Sequence, residues 1–65
     1  MKNITYTAIA AYLDNKTMYQ PVCWGKLIAL PYYTRQGALK HARRAAEAIR
    51  QDYIERGIRA RTIEI

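Results

Sequence analysis

Hydrophobic and polar positions change their spacing twice along this chain, and each change marks an element. Residues 3–13 (NITYTAIAAYL) are rich in Thr, Ile and Tyr, and β-branched and aromatic side chains suit a pleated surface. Alternation places Ile4, Tyr6, Ala8, Ala10 and Tyr12 on one face and Thr5, Thr7, Ile9, Ala11 and Leu13 on the other. Neither face is clearly polar, so the pattern predicts a strand without choosing its buried side. Asp14-Asn15-Lys16-Thr17 reads as a turn, because Asp and Asn tolerate left-handed or side-chain-bonded conformations. Residues 18–30 (MYQPVCWGKLIAL) read as a kinked strand best formed over 22–30, or as two short strands. Pro21 lacks a backbone donor and belongs on an edge or at a break. Gly25 marks a bulge or a close backbone approach.

After Pro31-Tyr32-Tyr33 the spacing becomes helical. Thr34 has the chemistry of an N-cap, with a hydroxyl able to accept from a free N–H of the first turn. Leu39, Ala42, Ala46, Ile49 and Tyr53 recur at steps of three and four, which places them on one face. Ala38 and Ala45 widen that stripe, and its small residues suit close approach to a sheet. The helix is predicted from about Arg35 to Arg56, with Gly57 as the left-handed residue beyond its end. Residues 58–65 (IRARTIEI) read as a last strand. The expected fold class is α+β: one small β-β-α-β domain over residues 1–65, a three-stranded sheet with one helix packed on one face. The last strand returns by a crossover beside the first or second.

At 65 residues, a domain buries only roughly 60% of the surface its unfolded chain exposes. Cys23 is the only cysteine and His41 the only histidine, so neither an internal disulfide nor a zinc pattern of recognised spacing is available, and no cofactor is expected. Packing must supply the stability. A lone thiol fits a reducing compartment, no apolar run approaches a bilayer span, and the first residues lack a signal-peptide layout, so a cytoplasmic protein without a membrane partner is expected.

Acid–base and nucleophilic chemistry needs convergent groups. His41 lies about 200° around the helix from Leu39 and is expected to be solvated. Cys23, in the run Val22-Cys23-Trp24, is expected to be a small buried hydrophobe. Glu47 and Asp52 stand at helical spacings from arginines and read as salt-bridge partners. The three glycines stand apart, so no phosphate-cradling loop is present. The sequence points away from an enzyme.

Charge changes the picture most. Lysines and arginines number 11 against 5 aspartates and glutamates, a net charge of +6. Arg35, Lys40, Arg43 and Arg44 all precede the first acidic residue of the helix. The helix dipole disfavours cations at that end by a few tenths of a kcal/mol each. Such a local conflict points to function, and a positive helix start suits phosphate or carboxylate. Arg59 and Arg61 share one side of the last strand and extend the basic surface if that side meets solvent. Among the aromatics, Tyr32 and Tyr33 sit at the junction with the helix, near Arg35, and are the best candidates for exposed contact.

The segment Thr34-Arg35-Gln36-Gly37-Ala38-Leu39-Lys40-His41-Ala42 resembles the Thr-x-x-x-Ala-Leu-x-x-Ala helix start that follows the hairpin in HicB-type antitoxins. The element order is similar to that of small phage-encoded inhibitors of bacterial RNA polymerase, although this chain is basic where they are acidic. These resemblances imply a niche among short regulatory or inhibitory proteins of phages and mobile elements that act by docking. The leading expectation is therefore a non-enzymatic module that docks on an acidic protein through Tyr32, Tyr33, Arg35, Lys40, Arg43, Arg44, Arg59 and Arg61. Direct nucleic-acid binding by the same residues is the first alternative, and a homodimeric interaction module is the second.

Overall fold

The computed structural model describes residues 1–65 and contains one helix and four strands in the order β1 (Lys2–Leu13), β2 (Lys16–Cys23), β3 (Lys26–Leu27), α1 (Arg35–Glu55) and β4 (Ala60–Glu64). The sheet is four-stranded and mixed, in the order β3-β2-β1-β4. The expected three-stranded sheet is thus corrected by one short strand. The second stretch is best formed over Lys16–Cys23 rather than over 22–30, and it breaks at Trp24-Gly25 and resumes as β3, as the two-strand alternative has it.

Both hairpin loops have two residues, and in both loops each residue has positive φ. Asp14 and Asn15 lie at 48° and 63°, Trp24 and Gly25 at 52° and 75°. Turns of this hand match the twist of the strands they join. Asp, Asn and Gly enter the left-handed region readily, but a tryptophan there costs about 1–2 kcal/mol. Contacts made by its side chain offset that cost. The Trp24 indole donates to the Asn3 carbonyl at 3.0 Å and meets Tyr53 of α1 edge-on at 6.0 Å.

Pro21 sits inside β2, opposite Ala8. Its carbonyl accepts from the Ile28 N–H, so its main-chain polar side faces away from β1. Tyr19, two residues earlier, exchanges both hydrogen bonds with Tyr32 on that same side. The donor that Pro21 lacks therefore falls on the outer side of β2, where only the short chain of residues 26–32 runs. The ladder to β1 loses nothing.

β4 pairs with β1 in parallel, from Lys2↔Ala60 to Tyr6↔Glu64. The crossover that brings it there contains α1. Thr34 caps the helix by accepting from the Gly37 N–H at 3.1 Å. Arg56 is the C-cap, and Gly57 follows at φ 81°. The small stripe packs as the spacing predicts: Ala38, Ala42 and Ala46 are fully buried. Ala42 and Ala46 meet Ile4, Tyr6 and Cys23 of the sheet, with Leu39, Ile49 and Tyr53 packed around them. This settles which face of β1 is inside: Ile4 and Tyr6 face the helix, while Thr5, Thr7 and Ile9 line a face that no second layer covers.

The core is short relative to the sheet. A helix of 21 residues spans about 31 Å, and a strand of 12 residues about 41 Å. The far end of the β1–β2 hairpin consequently projects past the start of α1, and the molecule measures 46 × 16 × 15 Å. No helix of the chain is long and apolar enough to cross a membrane.

The contact between Tyr32 and the helix start yields a prediction. Replacing a helix-interior glycine by alanine usually stabilises by about 1 kcal/mol. At Gly37 a Cβ would stand 2.9 Å from Cδ2 of Tyr32, so Gly37→Ala is expected to forfeit that gain, with a midpoint at or below the parent's in urea unfolding.

Candidate functional site

The first half of α1 carries the strongest candidate surface. The helix turns its alanines to the sheet. At about 100° per residue Lys40 and Arg44 lie about 160° from Ala42 and face outward, Arg43 lies about 100° away on the flank, and Arg35, about 20° from Ala42, stands on the alanine side in the first turn. Arg35, Lys40, Arg43 and Arg44 are all exposed. None of them has a carboxylate within 4.0 Å. The two ion pairs of the molecule lie in the second half of the helix, Arg50 with Glu47 and Arg56 with Asp52. The cations before Glu47 are unpaired, and those after it are largely matched.

Lys40 stands between two shallow depressions. One, of about 270 Å³, is lined by Gln36, Leu39, Lys40 and Arg43. The other, of about 180 Å³, is lined by Tyr32, Gly37, Lys40, His41 and Arg44. Arg43 is held in place. Its Nε donates to the Tyr6 hydroxyl at 3.1 Å, and its guanidinium lies 5.9 Å from the centre of that ring. The hydrogen bond to Tyr6, with further help from Glu64 and Glu47, raises the Arg43 pKa above its already high ordinary value. Like any arginine it stays charged, and its contacts with Tyr6 orient that charge. Glu47 accepts from the Thr62 hydroxyl at 3.1 Å, which places the Arg43–Glu47 side of the helix over β4.

Tyr32 and His41 form the other flank. The Tyr32 hydroxyl lies 2.6 Å from His41 Nδ1, with the rings edge to face. His41, expected to be solvated, is half-buried against this tyrosine. Tyr32, expected to be free for contact, locks the chain entering the helix instead.

The eight residues singled out from the sequence do not form one surface. Arg35, Lys40, Arg43, Arg44 and Tyr32 belong to the helix layer. Tyr33, 76% exposed, lines a depression at the hairpin tip with Leu13, Lys16 and Met18. Those residues belong to the sheet face turned away from the helix. Arg61 is on that face too: it pairs with Asn3 in register and donates to its side chain at 2.9 Å. Arg59 lies just before β4, exposed. The strand arginines therefore do not extend the helix patch.

Cys23 is buried in the core cluster, and no hydrogen bond joins it to His41. No three His, Cys, Asp or Glu side chains cluster closely enough to hold a metal. The Tyr6–Arg43 and Tyr32–His41 pairs escaped the sequence reading. They join elements by tertiary packing, and no local motif announces them.

Compared with models of protein families, with curated proteins and with solved structures, the chain matches none.

Burial raises the Cys23 thiol above its ordinary pKa. The neutral thiol is favoured in the folded state, so the stability tied to it is complete below the unfolded value of about 8.5. It is lost as pH rises through the folded value. Iodoacetamide is expected to label Cys23 slowly in the native chain at neutral pH and rapidly in urea. Stability in denaturant titrations is expected to fall above pH 8.5 more steeply in the parent than in Cys23→Ala.

Proposed function

We propose that the chain is a non-enzymatic binding module, of the regulatory or inhibitory kind, that docks an acidic protein surface on the first half of α1. The observation that carries this reading is the division of charge along one helix. Arg35, Lys40, Arg43 and Arg44 are exposed without an ion-pair partner, while Arg50 and Arg56 have theirs. Helix stability alone favours carboxylates in the first turn, and this helix has none there. The residues nearest the patch support a docking role. Tyr6 fixes Arg43, and the Tyr32–His41 pair fixes the chain beside Lys40 and Arg44. Fixed charges lose less freedom on binding than mobile ones.

A protein partner fits better than a nucleic-acid strand. Phosphate tracking calls for a continuous run of cations beside exposed aromatics. Here Arg61 and Tyr33 lie on the opposite side of the sheet, and Tyr32 is engaged with His41. Self-association is a second reading, supported by the bare sheet face, where Ile9, Leu27 and Ile65 are exposed. It predicts a mass that rises with concentration in sedimentation equilibrium.

The docking reading is tested by titrating the full chain with polyglutamate and with a random single-stranded oligonucleotide at rising salt. Polyglutamate is expected to bind more tightly and to weaken as salt screens the contact. The double variant Lys40→Glu with Arg44→Glu is expected to lose about tenfold or more in affinity. Preference for the oligonucleotide, or unchanged affinity in the variant, would reject this reading.

A further inference from the structure

One edge of the sheet is open beside the unpaired cations. The register of β1 with β2 runs without a bulge from Tyr6↔Cys23 to Leu13↔Lys16. The Thr5 carbonyl accepts from Trp24, so the odd-numbered residues of β1 direct their main-chain groups toward β2. Tyr19 confirms the alternation: both its N–H and its C=O are taken by Tyr32, leaving none for Ala10 opposite. The even-numbered residues therefore direct theirs toward β4. There Lys2 donates to Arg59 and the Tyr6 carbonyl accepts from Ile65. Pairing stops at Tyr6↔Glu64. Ala8, Ala10 and Tyr12 carry on along the same edge with N–H and C=O groups that no strand meets.

The side chains around this edge are sorted by face. On the helix side stand Arg43, tied to Tyr6, and the depression it shares with Gln36, Leu39 and Lys40. On the far side stand the apolar residues Ile9 and Ile65, 49% and 67% exposed. Alternation would send successive side chains of an added strand to these two faces in turn.

Resting on the docking reading above, we infer that the partner is captured as an extended segment that adds a strand to β1 at Ala8, Ala10 and Tyr12. Its carboxylates alternate with apolar, β-branched side chains. Main-chain hydrogen bonds supply affinity, as in other strand additions. Arg43 and Lys40 select the acidic face, and Ile9 and Ile65 the apolar one. Charge decides against a second copy at this edge, because edge-to-edge pairing would bring two sets of unpaired cations together.

The experiment uses the full chain and a short synthetic peptide alternating valine and glutamate. Amide exchange is followed by NMR, and affinity by fluorescence polarisation. Bound peptide is expected to slow exchange at Ala8, Ala10 and Tyr12 about tenfold or more. Methylating the peptide nitrogens on its pairing edge is expected to cost about tenfold or more in affinity. Ala10→Pro, which removes a donor only from the open edge, is expected to do the same, and a valine–lysine peptide is expected not to bind. If the peptide binds but methylation and Ala10→Pro leave affinity unchanged, strand addition is overturned while acidic docking survives. Failure of the peptide to bind, where polyglutamate does, has the same meaning. Protection of these amides that grows with protein concentration alone would assign the edge to a second copy and overturn the inference.

Discussion

How closely a helix approaches a sheet depends on the size of the residues between them, and here those residues are alanines. Ala38, Ala42 and Ala46 are fully buried, yet each contributes little area to the core. Their contribution is proximity, which lets Ile4, Tyr6 and Cys23 fill the space under the helix. The same closeness brings Tyr6 within reach of Arg43 at the helix flank. A larger residue in the stripe would lift the helix from the sheet, and overpacking of a core this thin destabilises by about 1–3 kcal/mol. The alanine stripe thus underlies both the fold and the placement of the charge.

That placement separates two roles within one helix. Its second half is occupied with staying folded: Tyr53 packs on Trp24, and Arg50 and Arg56 find carboxylates. Its first half is capped by Thr34 and steadied by Tyr32, and its cations have no ion-pair partner. Next to it, β1 outruns β4. An unmatched edge and an unmatched charge therefore occur at the same level of the molecule.

Local chemistry made the helix legible residue by residue. Thr34, the alanine spacing and Gly57 each act within a few positions, so its boundaries and buried face follow from the chain alone. The first strand is legible for the same reason, and the turn at Asp14-Asn15 nearly so. The break at Trp24-Gly25 is harder to read, because a tryptophan with positive φ is held there by Asn3 and Tyr53, distant in sequence. Without that turn β3 does not exist as a separate strand. Of the candidate surface, the four helix cations were readable from spacing. Period-two alternation also put Arg59 and Arg61 on one side, but which side depends on the register with β1. Tyr32 and His41 differ from expectation for a similar reason: their surroundings are set by pairing between Tyr19 and Tyr32, while Tyr33 is exposed as expected but on the other side of the sheet.

Pro21 and the short chain beside it have a consequence for how far the sheet can grow. The outer side of β2 is covered by residues 26–32, and β3 presents only two residues to any newcomer. A sheet that can be lengthened sideways from one border only accepts one added strand there and then stops, because head-to-tail stacking into a filament needs two receptive borders. A long, aromatic-rich hairpin would otherwise be a hazard at high concentration, and the proline side of this molecule acts as a terminator.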